Sequence, residues 1–142
     1  MIITRAPLRM SFAGGGTDLP IFYREFSGSV VSTTINKYVY IELHPFFHKD
    51  RLQLKYSQIE NINKYDEIKH SLFRVILQSN RIMGKELSCT ADLPAGTGMG
   101  SSAAFAVALL KAIDTEKGIF RSKSAIAQQA CKYEIEVLNK PV

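Results

Sequence analysis

The sequence predicts an α+β domain in which helices pack on one mixed or antiparallel sheet. Three observations predict it. Residues 1–12 and 28–44 are rich in β-branched and aromatic side chains. Apolar residues between Asp66 and Met83 recur at helical spacing. A glycine-rich segment at 93–102 then runs into a stretch that is apolar almost all round.

The first two stretches read as strands, and within the second the run Tyr38-Val39-Tyr40-Ile41-Glu42-Leu43 is bounded by Lys37 and Pro45. Arg51-Leu52-Gln53-Leu54-Lys55-Tyr56 alternates polar with apolar residues, so it predicts a third strand with one wet face that extends an antiparallel sheet. Over 66–83, Ile68, Leu72, Val75, Ile76 and Ile82 share a helical stripe, and Gly84 offers a stop. A short strand follows over 86–91. The run Ala103–Leu110 has no polar stripe, which predicts a helix buried on most sides. A last helix is expected over 122–138, ending near Asn139 and Pro141.

The chain has 142 residues, of which 46% are hydrophobic and 22% charged, so one domain with a real core is expected and a disordered or fibrous chain is excluded. Cys89 and Cys131 lack CxxC spacing and have small or apolar neighbours, which predicts buried reduced thiols and neither a disulfide framework nor a zinc site. No apolar run reaches bilayer length and no signal-peptide pattern opens the chain, so a cytoplasmic protein without a membrane partner is expected. The net charge of +5 comes from scattered lysines and arginines without an RNA-binding box, which argues against nucleic acid and is compatible with a small phosphorylated ligand. His44, His48 and His70 form no converging pattern and read as surface or strand-end residues.

The chemistry concentrates at Pro94-Ala95-Gly96-Thr97-Gly98-Met99-Gly100-Ser101-Ser102. Alternating glycines let backbone N–H groups approach a ligand, and the helix start adds unpaired donors and partial positive charge. No Gly-Lys-Ser/Thr follows, so this is not a Walker A loop, and the spacing is not that of a dinucleotide fingerprint. Ser101 and Ser102 read either as helix caps or as a hydroxyl ligand for a phosphate-bound Mg²⁺. Near the start, Gly14-Gly15-Gly16-Thr17-Asp18 reads either as a turn with Asp18 capping the next helix or as a carboxylate offered to sugar hydroxyls, with Arg9 bringing charge to a phosphoryl group. In the last helix Ala127, Cys131, Glu134 and Leu138 share a face on which Glu134 is the only acid. It needs a partner, or else it snorkels to water.

The segment from Pro94 to Ala104 resembles the phosphate-binding motif of the GHMP kinases, and Ala6–Pro20 resembles the family's first motif in the form seen among D-glycero-D-manno-heptose 7-phosphate kinases. The resemblance implies that residues 1–142 are the N-terminal, ATP-binding domain of such an enzyme, of the ribosomal protein S5 domain 2-like type. It implies that Pro94, Gly96, Thr97, Gly98, Met99, Gly100, Ser101 and Ser102 hold ATP, and that Ser102 and Glu134 hold Mg²⁺. It places Arg9, with a catalytic role, and Gly15, Gly16, Thr17 and Asp18 at a sugar or sugar-phosphate substrate, whose anomeric hydroxyl would receive the phosphoryl group. Galactokinases carry glutamate and histidine where this chain has Gly15 and Gly16, which implies room for a larger or phosphorylated sugar. The family's catalytic aspartate and C-terminal domain lie beyond Val142, so a half-cleft is expected to lose most of its rate. Self-association or a C-terminal half would cover the exposed edge. The alternative is a non-catalytic nucleotide-binding remnant or one half of a split kinase.

Overall fold

Hydrophobic alternation is visible directly in the sheet of the computed structural model, which describes residues 1–138. Strands β1 (Ile2–Ala13), β2 (Val31–Pro45), β3 (Leu52–Lys55), β4 (Ile59–Ile62) and β5 (Lys85–Ala91) form one sheet in the order β1-β2-β5-β3-β4. Ala6, Leu8, Val39, Ile41, Leu43, Leu52, Leu54 and Leu87 bury one face. Their strand neighbours Arg5, Tyr40, Glu42, Gln53 and Lys55 lie on the wetter face, as a period of two requires.

β1 pairs antiparallel with β2, and β2 with β5. β3 pairs antiparallel with β4 but parallel with β5, so the third strand extends a mixed sheet, not a purely antiparallel one. The reason is the connection. Between β3 and β5 the chain makes β4 and helix α2 (Ser71–Ser79) and so returns to the same end of the sheet before pairing.

α2 is shorter than the periodicity of 66–83 suggests. The His70 ring Nδ1 accepts the Phe73 N–H at 3.3 Å and so caps the helix start, while Arg81 at φ 53° follows the Asn80 cap and ends it before Gly84. Ile68 and Ile82 are buried but lie outside the helix, so they mimic its stripe from the flanking turns.

Helix α3 (Ser101–Lys117) packs against β1 and β2, and Phe105, Ala106, Ala108, Leu109, Leu110, Ala112 and Ile113 are all buried. The Thr4 hydroxyl donates to the Ala108 carbonyl at 2.7 Å and pins β1 to its middle. A short helix α1 (Pro20–Tyr23) lies in the excursion between β1 and β2.

The last helix is α only over α4 (Lys123–Lys132) and continues as a π turn over Tyr133–Val137. Its inward residues are Ile126, Ala130, Tyr133 and Glu134, whereas Ala127 and Cys131 are exposed. The expected face Ala127-Cys131-Glu134-Leu138 is therefore rotated. Ala130 follows Ile126 by four residues, and Tyr133 and Glu134 follow Ala130 by three and four, so ordinary helical periodicity already brings Glu134 to the edge of the inward face, and the bulkier Ile126 and Tyr133 win that face over Ala127 and Cys131. Cys131 is accordingly not a buried thiol, and Cys89 is only partly covered. No helix among the described residues is long and apolar enough to cross a membrane.

Asp114 is wholly buried in α3 and accepts a forked pair of bonds from Arg121, one of them from Nε at 2.8 Å. Arg121→Ala should lower stability by about 3 kcal/mol because it strands a buried carboxylate, and Arg121→Lys should recover only part of that. An unchanged urea midpoint in the alanine variant would contradict this. Burial pushes the Cys89 thiol up to about 11. Alkylation at pH 8 should therefore modify Cys131 well before Cys89, which peptide mass spectrometry resolves.

Candidate functional site

The glycine-rich segment leaves β5 under control of Asp92, whose carboxylate Oδ2 accepts the Tyr38 N–H at 2.7 Å and whose own N–H donates to the Tyr38 carbonyl at 3.0 Å. The loop is thus anchored to β2 before it turns outward. Gly96, Gly98 and Gly100 have φ of 83°, 72° and 69°, and the Thr97 hydroxyl donates to the Pro94 carbonyl at 3.2 Å. At Gly100 the requirement for glycine is double. Its backbone is left-handed, and a Cβ there would come within 3.0 Å of Arg9 Cγ.

Gly100 is also the cap residue of α3 and makes no side-chain bond to the first turn. The N-terminal amides of the helix therefore face the loop without a capping oxygen, the arrangement that favours an anion. Ser101 and Ser102 are inside the helix and do not cap it.

Arg9 meets this loop from β1. The strand register shifts between Pro7 and Arg9, and the Arg9 N–H donates to the Met99 carbonyl at 2.9 Å. The stem of its side chain lies along Gly100, and its guanidinium donates to the Ser11 hydroxyl. Two segments ninety residues apart in sequence are joined here, and the charge is carried beside the helix start.

The opposite flank is Glu134. Its carboxylate is 2% exposed and accepts the Ser102 hydroxyl. Among the described residues no lysine, arginine or histidine forms an ion pair with it. With the Ser102 hydroxyl as its hydrogen-bond donor among the described residues, the carboxylate has unspent acceptor capacity, and the two make a hard-oxygen pair beside the uncapped helix start. No group of three or more histidine, cysteine, aspartate or glutamate side chains that could hold a metal exists among the described residues. The donor set therefore fits a Mg²⁺ that keeps waters and phosphate oxygens as its remaining ligands, and not an all-protein cage.

The first motif is organised by Thr17. Its hydroxyl accepts the Ser29 N–H at 3.1 Å and reaches the Gly14 carbonyl at 2.7 Å, closing the excursion between β1 and β2. Residues 15–18 form a 3-10 turn, and Asp18 caps no helix. A Cβ at Gly15 or Gly16 would meet nothing within 4 Å, so the absent side chains leave open space. No hydrogen bond or ion pair links Asp18 to the glycine loop among the described residues. The structure brings Arg9 and Glu134 to the loop and leaves Asp18 on its own turn.

Beside the loop lies a cavity of about 580 Å³, between β5, the start of α2 and the start of α3. Tyr56, His70, Phe73 and Phe105 give it an aromatic wall, and Ser101 and Ser102 lie at its loop end. Phe73 and Phe105 cross at 82° with centroids 4.8 Å apart, and His70 lies 5.0 Å from Phe105. Its size suits a small organic ligand. His70 is therefore a cavity residue as well as a helix cap, not only a surface histidine. The sequence conceals this wall, because a core reading accounts for Phe73 in α2 and Phe105 in α3 without a cavity.

Comparison with known proteins agrees with this geometry. Residues 67–142 match the family model described as the GHMP kinases N terminal domain. The chain is 29% identical over 147 aligned positions to a D-glycero-alpha-D-manno-heptose 7-phosphate kinase of Campylobacter jejuni, with 95% of this chain and 43% of that protein covered. It is 28% identical over 139 positions to a galactokinase of Thermotoga maritima, with 93% and 38% covered. A crystal structure of a D-glycero-D-manno-heptose 1-phosphate kinase from Bacteriodes thetaiotaomicron superposes with a TM-score of 0.82 at 21% identity, over 99% of this chain and 50% of that one. The chain spans less than half the length of these two curated relatives. With its loop, its helix and its sheet all matched, the chain belongs to the GHMP kinases and has the fold of their N-terminal domain.

Proposed function

We propose that residues 1–142 are the ATP-binding domain of a sugar kinase that phosphorylates a sugar phosphate, with D-glycero-D-manno-heptose 7-phosphate as its substrate. The reading is carried by one observation, the buried Glu134 carboxylate bonded to Ser102 beside an uncapped helix start. Backbone N–H groups of Gly96, Thr97, Gly98, Met99, Gly100 and Ser101 hold the ATP phosphates, with Pro94 setting the entry of the loop. The aromatic cavity takes the nucleotide base. Ser102 and Glu134 hold Mg²⁺, which when bound neutralises charge on the phosphates.

Arg9 stands where a phosphoryl group would be aligned, and its fixed charge disperses the negative charge that builds during transfer. Thr17 shapes the turn on which Asp18 offers its carboxylate to sugar hydroxyls, and the space at Gly15 and Gly16 admits the larger phosphorylated sugar. In the transfer, the anomeric oxygen forms the new P–O bond while the bond from the γ-phosphorus to the bridging oxygen breaks, ADP leaves, and the hydroxyl proton is released. The relatives support the acceptor, because the Campylobacter jejuni protein is named for the same sugar phosphate and covers 95% of this chain.

Ser102→Ala should weaken Mg·ATP binding by about tenfold or more and leave metal-free ATP binding within about twofold, as measured by titration calorimetry. Equal losses in both would remove the metal role. Arg9→Met keeps the stem against Gly100 and removes the charge, so it should weaken ATP by about three- to tenfold and flatten the salt dependence. Unchanged affinity would take Arg9 out of the phosphoryl site.

A further inference from the structure

Glu60 belongs to none of the motifs, yet it is one of the few buried charged residues of the described chain, at 7% exposure in the middle of the short edge strand β4. Both carboxylate oxygens are used. One accepts the Tyr56 hydroxyl, and the other accepts the Lys69 N–H at 3.0 Å. Among the described residues it forms no ion pair with lysine, arginine or histidine. Burying a carboxylate with only a phenol and one amide for company is unfavourable for stability alone, and an apolar side chain would fill the same place more cheaply.

Its two partners come from different segments that meet at the same place. Tyr56 follows β3, and its ring lies 5.4 Å from His70 and 5.8 Å from Phe73. Lys69 precedes the α2 cap, and Tyr56, Lys69 and His70 all line the 580 Å³ cavity. The Tyr56 hydroxyl also accepts from the Gln58 side chain. Burial, foremost, raises the Tyr56 pKa, so the phenol stays protonated and remains the donor.

We infer that Glu60 is a positioning residue that ties Tyr56 to the Lys69–His70 segment and so holds the aromatic wall of the cavity ready for a planar base. This rests on the nucleotide reading proposed above. Charge-assisted bonds are shorter and stiffer than neutral ones, and a wall fixed beforehand spares the ordering cost when a ring stacks on it. Among the described residues Glu60 forms no hydrogen bond or ion pair with the glycine loop, so its effect should fall on the base.

The test compares two ligands, ATP and inorganic tripolyphosphate, each titrated with Mg²⁺ into the chain and its variants. Glu60→Ala should weaken ATP by about tenfold and leave tripolyphosphate unchanged, because it strands the phenol and the amide that shape only the base wall. Glu60→Gln should fall between the parent and the alanine variant, losing about threefold for ATP and nothing for tripolyphosphate, since its one amide oxygen can accept from the Tyr56 hydroxyl or from the Lys69 N–H while its NH₂ faces the other donor. Should the alanine variant not fold, Tyr56→Phe carries the test, with an expected loss of about threefold for ATP alone. If the folded alanine variant, or in its place the phenylalanine variant, binds ATP as the parent does, or loses both ligands equally, the inference is overturned. A parent chain that binds neither ligand, or ATP no better than tripolyphosphate, overturns the nucleotide reading itself and the inference with it.

Discussion

Helix α3 is enclosed along most of its length, and that enclosure is the constraint on which the other features depend. A helix buried on several sides satisfies its own backbone groups everywhere except at its ends. Its N-terminal amides must therefore open somewhere that water or a ligand can reach. The sheet fixes the direction, because the Thr4 hydroxyl holds the Ala108 carbonyl and β1 lies along the helix. The end that opens is the one fed by the glycine loop. With Gly100 as its cap, no side-chain oxygen competes for those donors.

Around that opening the chain places opposite charges on opposite sides. Arg9 comes in along β1 and lies against Gly100, while Glu134 comes in from the π turn and reaches Ser102. An anion at the helix start would meet the guanidinium on one side, and a hard cation would find the carboxylate on the other. Neither charge is held in place by the other. Each lies at a backbone irregularity, Arg9 just after a register shift in β1 and Glu134 within a π turn. Such irregularities interrupt regular hydrogen bonding and recur where a side chain has to be re-aimed.

A second organising interaction is the buried ion pair of Asp114 and Arg121. It closes the corner between α3 and α4 and so sets the angle at which the last helix returns along the domain. Asn80, at the end of α2, reaches the Tyr133 hydroxyl at 3.4 Å, and the Lys117 side chain caps the Asn80 carbonyl. These polar contacts join the ends of three helices. The position of Glu134 thus depends on groups that have no chemistry of their own.

Much of the architecture was legible in one sequence because period-two alternation in 1–12, 38–43 and 51–56 and the unbroken apolar run after Ser102 each admit one burial pattern. The glycine loop that feeds α3 was legible for a similar reason, since alternating glycines before an apolar run leave few structural alternatives. The boundaries of α2 were not, because Ile68 and Ile82 contribute apolar surface from turns and prolong the stripe. The strand β4 passed unseen, being four residues long. The inward face of α4 was not legible, because the stripe Ala127-Cys131-Glu134-Leu138 and the stripe Ile126-Ala130-Tyr133 are both helical in spacing, and only packing against the domain chooses between them. Local pattern by itself determined most of the strands and helices and the glycine loop before α3, since those follow from short-range sterics and from which side chains avoid water. Only the tertiary structure decided that β3 lies parallel to β5, that Arg9 rests on Gly100, that Glu134 meets Ser102 and that Glu60 joins Tyr56 to Lys69. Each is a contact between distant segments, and its geometry is fixed by how the layers pack and not by any one of them.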